Sequence, residues 1–192
     1  MKFTLPLLGS IVILFASGCS PSSDKAKIII NNDILSECNL AIQNAVVLDG
    51  VTPPVASRRY FYSTVAAYEA VRPFNTELVS TVGQFNDFNQ ISQIDTSLGI
   101  CLDLAALRAY TQTALDLVYK EDSILAFQNR KLNFYKKTLS NQIFNQSIAW
   151  GDTVSKNILL WASGDTFAQI RGTDLYTTKA SDLCKCITAG PK

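Results

Sequence analysis

Two arginines, Arg58 and Arg59, follow one another beside Tyr60 and Tyr62, a grouping able to hold an anion through guanidinium hydrogen bonds. Acidic residues lie close in sequence, and the plainer reading is that one arginine pairs with a carboxylate such as Asp49 or Glu69 while its stem covers apolar surface. Asp49 and Glu69 are also two carboxylates of the kind that acid–base chemistry uses, but no pocket to perturb either one is evident from the sequence. Trp150 and Trp161 are eleven residues apart and so fall on nearly one helical face. Packing in a core or interface is favoured for them over a sugar-stacking platform. Lys131, Lys136 and Lys137 read as a solvated face before they read as a binding patch.

Composition excludes much else. The 192 residues contain no histidine. That removes Ser-His-Asp and Cys-His nucleophilic sites, His-ligated zinc and phosphohistidine chemistry from this chain. Seventeen basic residues balance sixteen acidic ones, so there is no cationic excess to neutralise nucleic-acid phosphates, and no nucleic-acid partner is expected. Of five cysteines, Cys38 and Cys101 fall on apolar helix faces and read as small buried hydrophobes. Cys184 and Cys186 form a C-x-C pair near the end of the chain, and the four cysteines other than Cys19 allow three pairings, among which the sequence does not choose.

The first residues read as an export signal. Lys2 gives a positive start, and Leu5 to Phe15 form an apolar run of 11 residues, too short to span a bilayer. Ala16-Ser17-Gly18-Cys19 then has the form of a lipobox, so residues 1–18 are expected to be a signal peptide and Cys19 the lipidated N-terminus. Residues 19–30 are the lipidated cysteine and a polar tether. Membrane attachment through Cys19 places the chain in the cell envelope, facing the periplasm or cell surface.

From Asn32 onward the periodicity predicts an all-α bundle of about five helices, over a helical domain of residues 31–172. The first runs to about Asp49, with Gly50 as its stop. Pro53 and Pro54 open the second, which ends before Arg72-Pro73 and carries Ala66, Ala67 and Ala70 for close packing. Residues 74–95 read as loop, with one helical turn expected near Thr76–Phe85. Further helices are expected at about Thr96–Tyr119, with Leu98 in the core, at Asp122–Leu139 and at Asn141–Trp161. The last carries the cleanest apolar stripe, with Gly151 on it. Asp165 can cap a short turn, and residues 173–192 read as an irregular tail.

The stretch Asp49-Gly50-Val51-Thr52-Pro53-Pro54-Val55-Ala56-Ser57-Arg58-Arg59-Tyr60, continuing to Ala66-Ala67-Tyr68-Glu69-Ala70, resembles the N-terminal region of bacterial vanadium-dependent haloperoxidase-like proteins. These group with the type 2 phosphatidic acid phosphatases. A second echo runs from Ser147-Ile148-Ala149-Trp150-Gly151 through Trp161-Ala162 to Asp165, Arg171-Gly172 and Tyr176-Thr177. The resemblance implies an all-helical fold in which Asp49, Pro53, Pro54, Ser57, Arg58, Tyr68 and Glu69 form a structural motif. It also implies vanadate as the cofactor of intact relatives of the haloperoxidase type, held by histidine in a downstream segment. With no histidine, that role passes to no residue here. The chain therefore reads as an incomplete, catalytically silent portion of such a protein, or as one half of a split enzyme with a separately encoded C-terminal half. A cell-envelope binding module that uses its Trp and Tyr faces is the third reading.

Overall fold

A computed structural model describes residues 33–171. The leader, Cys19 and its tether, Cys184, Cys186 and the segment 173–192 lie outside the described residues. Among the described residues the fold is all-α with no strand. Its elements are α1 (Ile34–Asp49), α2 (Pro53–Val71), a 3-10 turn (Arg72–Phe74), α3 (Leu102–Leu117), α4 (Asp122–Thr138), α5 (Asn141–Ala162) and the short α6 (Phe167–Arg171).

The punctuation is local chemistry. Gly50 ends α1 in the left-handed conformation (φ 59°), and its N–H donates to the Val47 carbonyl. Thr52 is extended, as a residue before proline must be, and Pro53 and Pro54 occupy the first turn of α2, where an absent N–H loses nothing. Ser140 caps α5 by accepting from the Ile143 N–H at 3.3 Å.

α3 is the hub, packed against α1, α2, α4 and α5. Its residues are buried nearly all round, which is why it carries no single apolar stripe. On one side Ile42 and Ala45 of α1 and Ile124 and Phe127 of α4 join Leu104, Leu107 and Tyr110 of α3. On the other, Ala66 and Ala70 of α2 and Val154 and Ile158 of α5 join Ala105 and Ala109. Small residues let these helices approach closely. At Gly151 a Cβ would lie 2.7 Å from the Arg108 Cβ and 2.8 Å from the Ala105 carbonyl oxygen.

Several polar groups within the core are matched to partners on neighbouring elements, although the buried Ser63 hydroxyl has none among the described residues. Ser147 Oγ accepts from the Cys101 N–H (2.9 Å) and donates to the Ile143 carbonyl (2.7 Å). Gln128 donates to Thr111 Oγ1 (2.6 Å), and the hydroxyls of Thr113 and Ser155 meet at 3.0 Å. The Trp150 Nε1–H donates to the Ala70 carbonyl at 2.8 Å.

Two expectations are corrected. The helix expected from Thr96 begins only at Leu102, because the Asp95 carboxylate accepts the Ser97 N–H (2.9 Å) and closes a side-chain turn that competes with helix. Leu98 is consequently exposed, and Ile100 enters the core in its place. Residues 76–85 form turns and no helix. Cys38 and Cys101 are both buried free thiols, and burial pushes the Cys38 thiol up to about 12.

Gly151→Ala is expected to destabilise the protein by about 1–3 kcal/mol, since the new methyl group meets a backbone carbonyl that cannot move aside alone. Chemical denaturation checks this; an unchanged midpoint would contradict the packing described.

Candidate functional site

The motif residues cluster along α2, and most of them hold other elements to it. Asp49, the last residue of α1, has a fully buried carboxylate. It accepts from Arg59 Nη1 at 2.7 Å and from the backbone N–H groups of Tyr119 and Lys120, each at 2.9 Å. One side chain thus ties the end of α1, the start of α2 and the α3–α4 connection together. The Arg59 guanidinium lies over the Tyr119 ring, 5.3 Å from its centroid. Those two N–H bonds also explain why α3 stops at Leu117: the chain turns to deliver its amides to Asp49.

Glu69 does the equivalent at the far end of α2. Buried completely, it accepts from the Thr81 N–H (2.6 Å), Thr81 Oγ1 (2.7 Å) and Ser80 Oγ (3.1 Å), with Arg72 at ion-pair distance (3.5 Å). Tyr68 donates its phenol to the Val79 carbonyl at 2.6 Å. Together they fix the long loop after the 3-10 turn. Arg59, which binds Asp49, lies ten residues before Glu69 on α2, about 15 Å of helix, so the two carboxylates form no acid–base pair.

Arg58 faces elsewhere. Its Nε donates to Asp165 Oδ2 at 2.6 Å and its Nη2 to the Ala162 carbonyl at 3.1 Å, while Tyr62 donates to the same carboxylate at 3.1 Å. Asp165 Oδ1 accepts the Phe167 N–H (3.0 Å), which starts α6, and the Phe167 ring covers the Arg58 guanidinium at 4.5 Å. Burial pushes the Asp165 carboxyl up, but the donors Arg58, Phe167 N–H and Tyr62 outweigh it and hold the group below the usual carboxylate range. Burial, then the nearby Asp165, drives the Tyr62 phenol up to about 12. Pro54, Ser57, Arg58, Phe61, Tyr62 and Phe167 line an open cleft of about 510 Å³ here.

Trp150 is buried, and Trp161 is packed in an aromatic cluster. The Trp161 ring stacks on Phe88 (4.4 Å) and Phe85 (5.8 Å), takes the edges of Phe61 and Tyr62, and donates Nε1–H to the Asn86 carbonyl (3.0 Å). Neither indole is presented as a free platform. Lys131, expected to be solvated, pairs with Glu37 of α1.

Reading the sequence assigned an ion pair to one of two adjacent arginines; the fold gives one to each. Arg59 with Asp49 is a pairing legible from their proximity in sequence. Arg58 with Asp165 spans 107 residues, and local spacing holds no signal for it. Asp165 was legible only as a helix-starting residue, a role that it also fills.

No protein-family model matches the chain, and no curated protein matches it. A solved structure does: that of a protein described as the first bacterial vanadium-dependent iodoperoxidase. It is 30% identical, with a TM-score of 0.73, over 78% of this chain and 36% of its own. The fold of this chain is therefore haloperoxidase-like, and the chain spans about a third of the length of the solved structure that it matches.

The residues present do not fit vanadate. The chain has no histidine to bond it. Its guanidiniums at Arg58, Arg59, Arg72 and Arg108 are each matched to a separate carboxylate, Asp165, Asp49, Glu69 and Asp152, and do not converge. Among the described residues no group of three metal-ligating side chains exists.

The two arginine pairs are expected to differ sharply in energy. Asp49→Ala strands a buried guanidinium and is expected to cost about 3–5 kcal/mol, whereas Arg58→Ala, at a partly exposed pair, is expected to cost about 1 kcal/mol. Denaturant unfolding of both variants checks this, and a costlier Arg58→Ala would contradict the assignment. Because the Asp165 carboxyl is depressed on folding, its stabilising contribution is complete above the ordinary carboxylate value of about 3.9 and fades as pH falls below it. Amide exchange at Phe167, corrected for the intrinsic rate, should accelerate in that acid range; a pH-independent protection factor would contradict the clamp.

Proposed function

We propose that this chain is the N-terminal helical portion of a vanadium haloperoxidase-like or phosphatidic acid phosphatase-like lipoprotein, acting as scaffold and inactive alone. The observation that carries the reading is the combination of a haloperoxidase-like fold with a complete lack of histidine. The arginines of the motif support it, since each is matched to a carboxylate within the fold and leaves no convergent cationic centre. Residues 1–18 direct export, and acylation of Cys19 anchors the chain in the cell envelope. Catalytic histidines would have to come from outside these 192 residues, a separately encoded C-terminal half being one source. The sugar-binding alternative finds no support in the packed indoles.

Purified full chain supplied with vanadate, peroxide and iodide, or with a phosphomonoester, is expected to turn over neither. Oxidation or hydrolysis above the protein-free rate would refute the scaffold reading. Mass analysis of the membrane-extracted chain should show acyl chains on Cys19; a bare Cys19 would refute the anchor alone.

A further inference from the structure

We propose that the face formed by α1 and α4 docks flat against an anionic lipid bilayer; this rests on the anchoring at Cys19 proposed above. The two helices run antiparallel, since Lys131 of α4 pairs with Glu37 while Ser123 Oγ donates to the Ala41 carbonyl at 3.2 Å. The C-terminal half of α4 therefore lies beside the start of α1, the end from which the chain leads back to Cys19. A groove of about 490 Å³ runs between them, lined by Leu40, Phe127, Arg130 and Lys131. One and two turns beyond Arg130, at helical spacings of four and seven, Phe134 and Lys137 continue the same side of α4.

Leu40 and Phe134 are 59% and 60% exposed, and Arg130 and Lys137 are exposed beside them. Exposed apolar side chains flanked by long cations suit a bilayer interface, where the apolar tips enter the acyl boundary and the cations meet lipid phosphates. A surface built to seal against protein would instead gather its apolar side chains and shed charge from the centre. The charge is also directional. Arg130, Lys136 and Lys137 gather at this end, beside Asp33 and the Glu37–Lys131 pair, whereas Glu121 and Asp122 lie at the opposite end of α4. Ser20 to Asn32 give the anchored chain a reach of at most about 45 Å, so the basic end stays within contact of the membrane that holds Cys19.

Amine footprinting of the full chain bound to vesicles tests this, with phosphatidylcholine alone compared with a mixture holding about 30% phosphatidylglycerol. Acylation of Lys137 is expected to slow about fivefold on the anionic vesicles, while exposed Lys156 on α5 stays unchanged. The double variant Arg130→Glu, Phe134→Ser, with an unaltered melting temperature, is expected to lose the protection. Equal Lys137 labelling on both vesicle types, or failure of the chain to sediment with anionic vesicles, overturns the proposal. So does protection that rises with protein concentration without lipid, which would assign the face to a second copy, or that needs an added protein partner. An unmodified Cys19 with Lys137 still protected would refute the anchor and uphold the docking face.

Discussion

A buried guanidinium must be neutralised, and in this fold Asp49 is the group that neutralises Arg59. Taking both charges out of water is costly, and only the added hydrogen bonds from the Tyr119 and Lys120 amides make the arrangement tolerable. The geometry that supplies them fixes the end of α1, the entry of α2 and the exit of α3 at one point. Gly50, Pro53 and Pro54 then have to provide a tight turn between helices whose ends are already pinned. Glu69 repeats the device at the other end of α2, with backbone and hydroxyl donors from the loop taking most of the role of the guanidinium. The polar residues of the motif are, in this sense, the fastenings of one helix.

That economy bears on function. An oxyanion centre needs cations left available by the fold, converging on one point with hydrogen-bond capacity to spare. Here the four guanidiniums on α2, the 3-10 turn and α3 are each spent on a different carboxylate, so the electrostatics of this chain stabilise helix packing. The arrangement suits the scaffold role proposed above, and the match covers 36% of the haloperoxidase-like structure.

Much of the architecture was legible in the sequence. The ends of α1 and α2, the stripe of α5 and the close-packing role of Gly151 follow from capping, proline restriction and period, which are local and strong signals. The beginning of α3 was not legible, because an Asp95 side-chain turn displaced the helix over residues whose periodicity alone favours it. Arg58 with Asp165 was beyond local reasoning for a different cause: the pair exists only once α5 has returned the chain to α2. Trp161 shows the same limit, since the Phe85 and Phe88 rings that occupy it come from a loop with no regular period.

Calorimetric titration of the full chain with orthovanadate measures whether any cationic centre is left open to an oxyanion. No saturable heat is expected, because no imidazole is present and the guanidiniums of Arg58, Arg59, Arg72 and Arg108 are already matched to carboxylates. A saturable one-to-one isotherm, abolished by Arg58→Ala or Arg59→Ala, would contradict it.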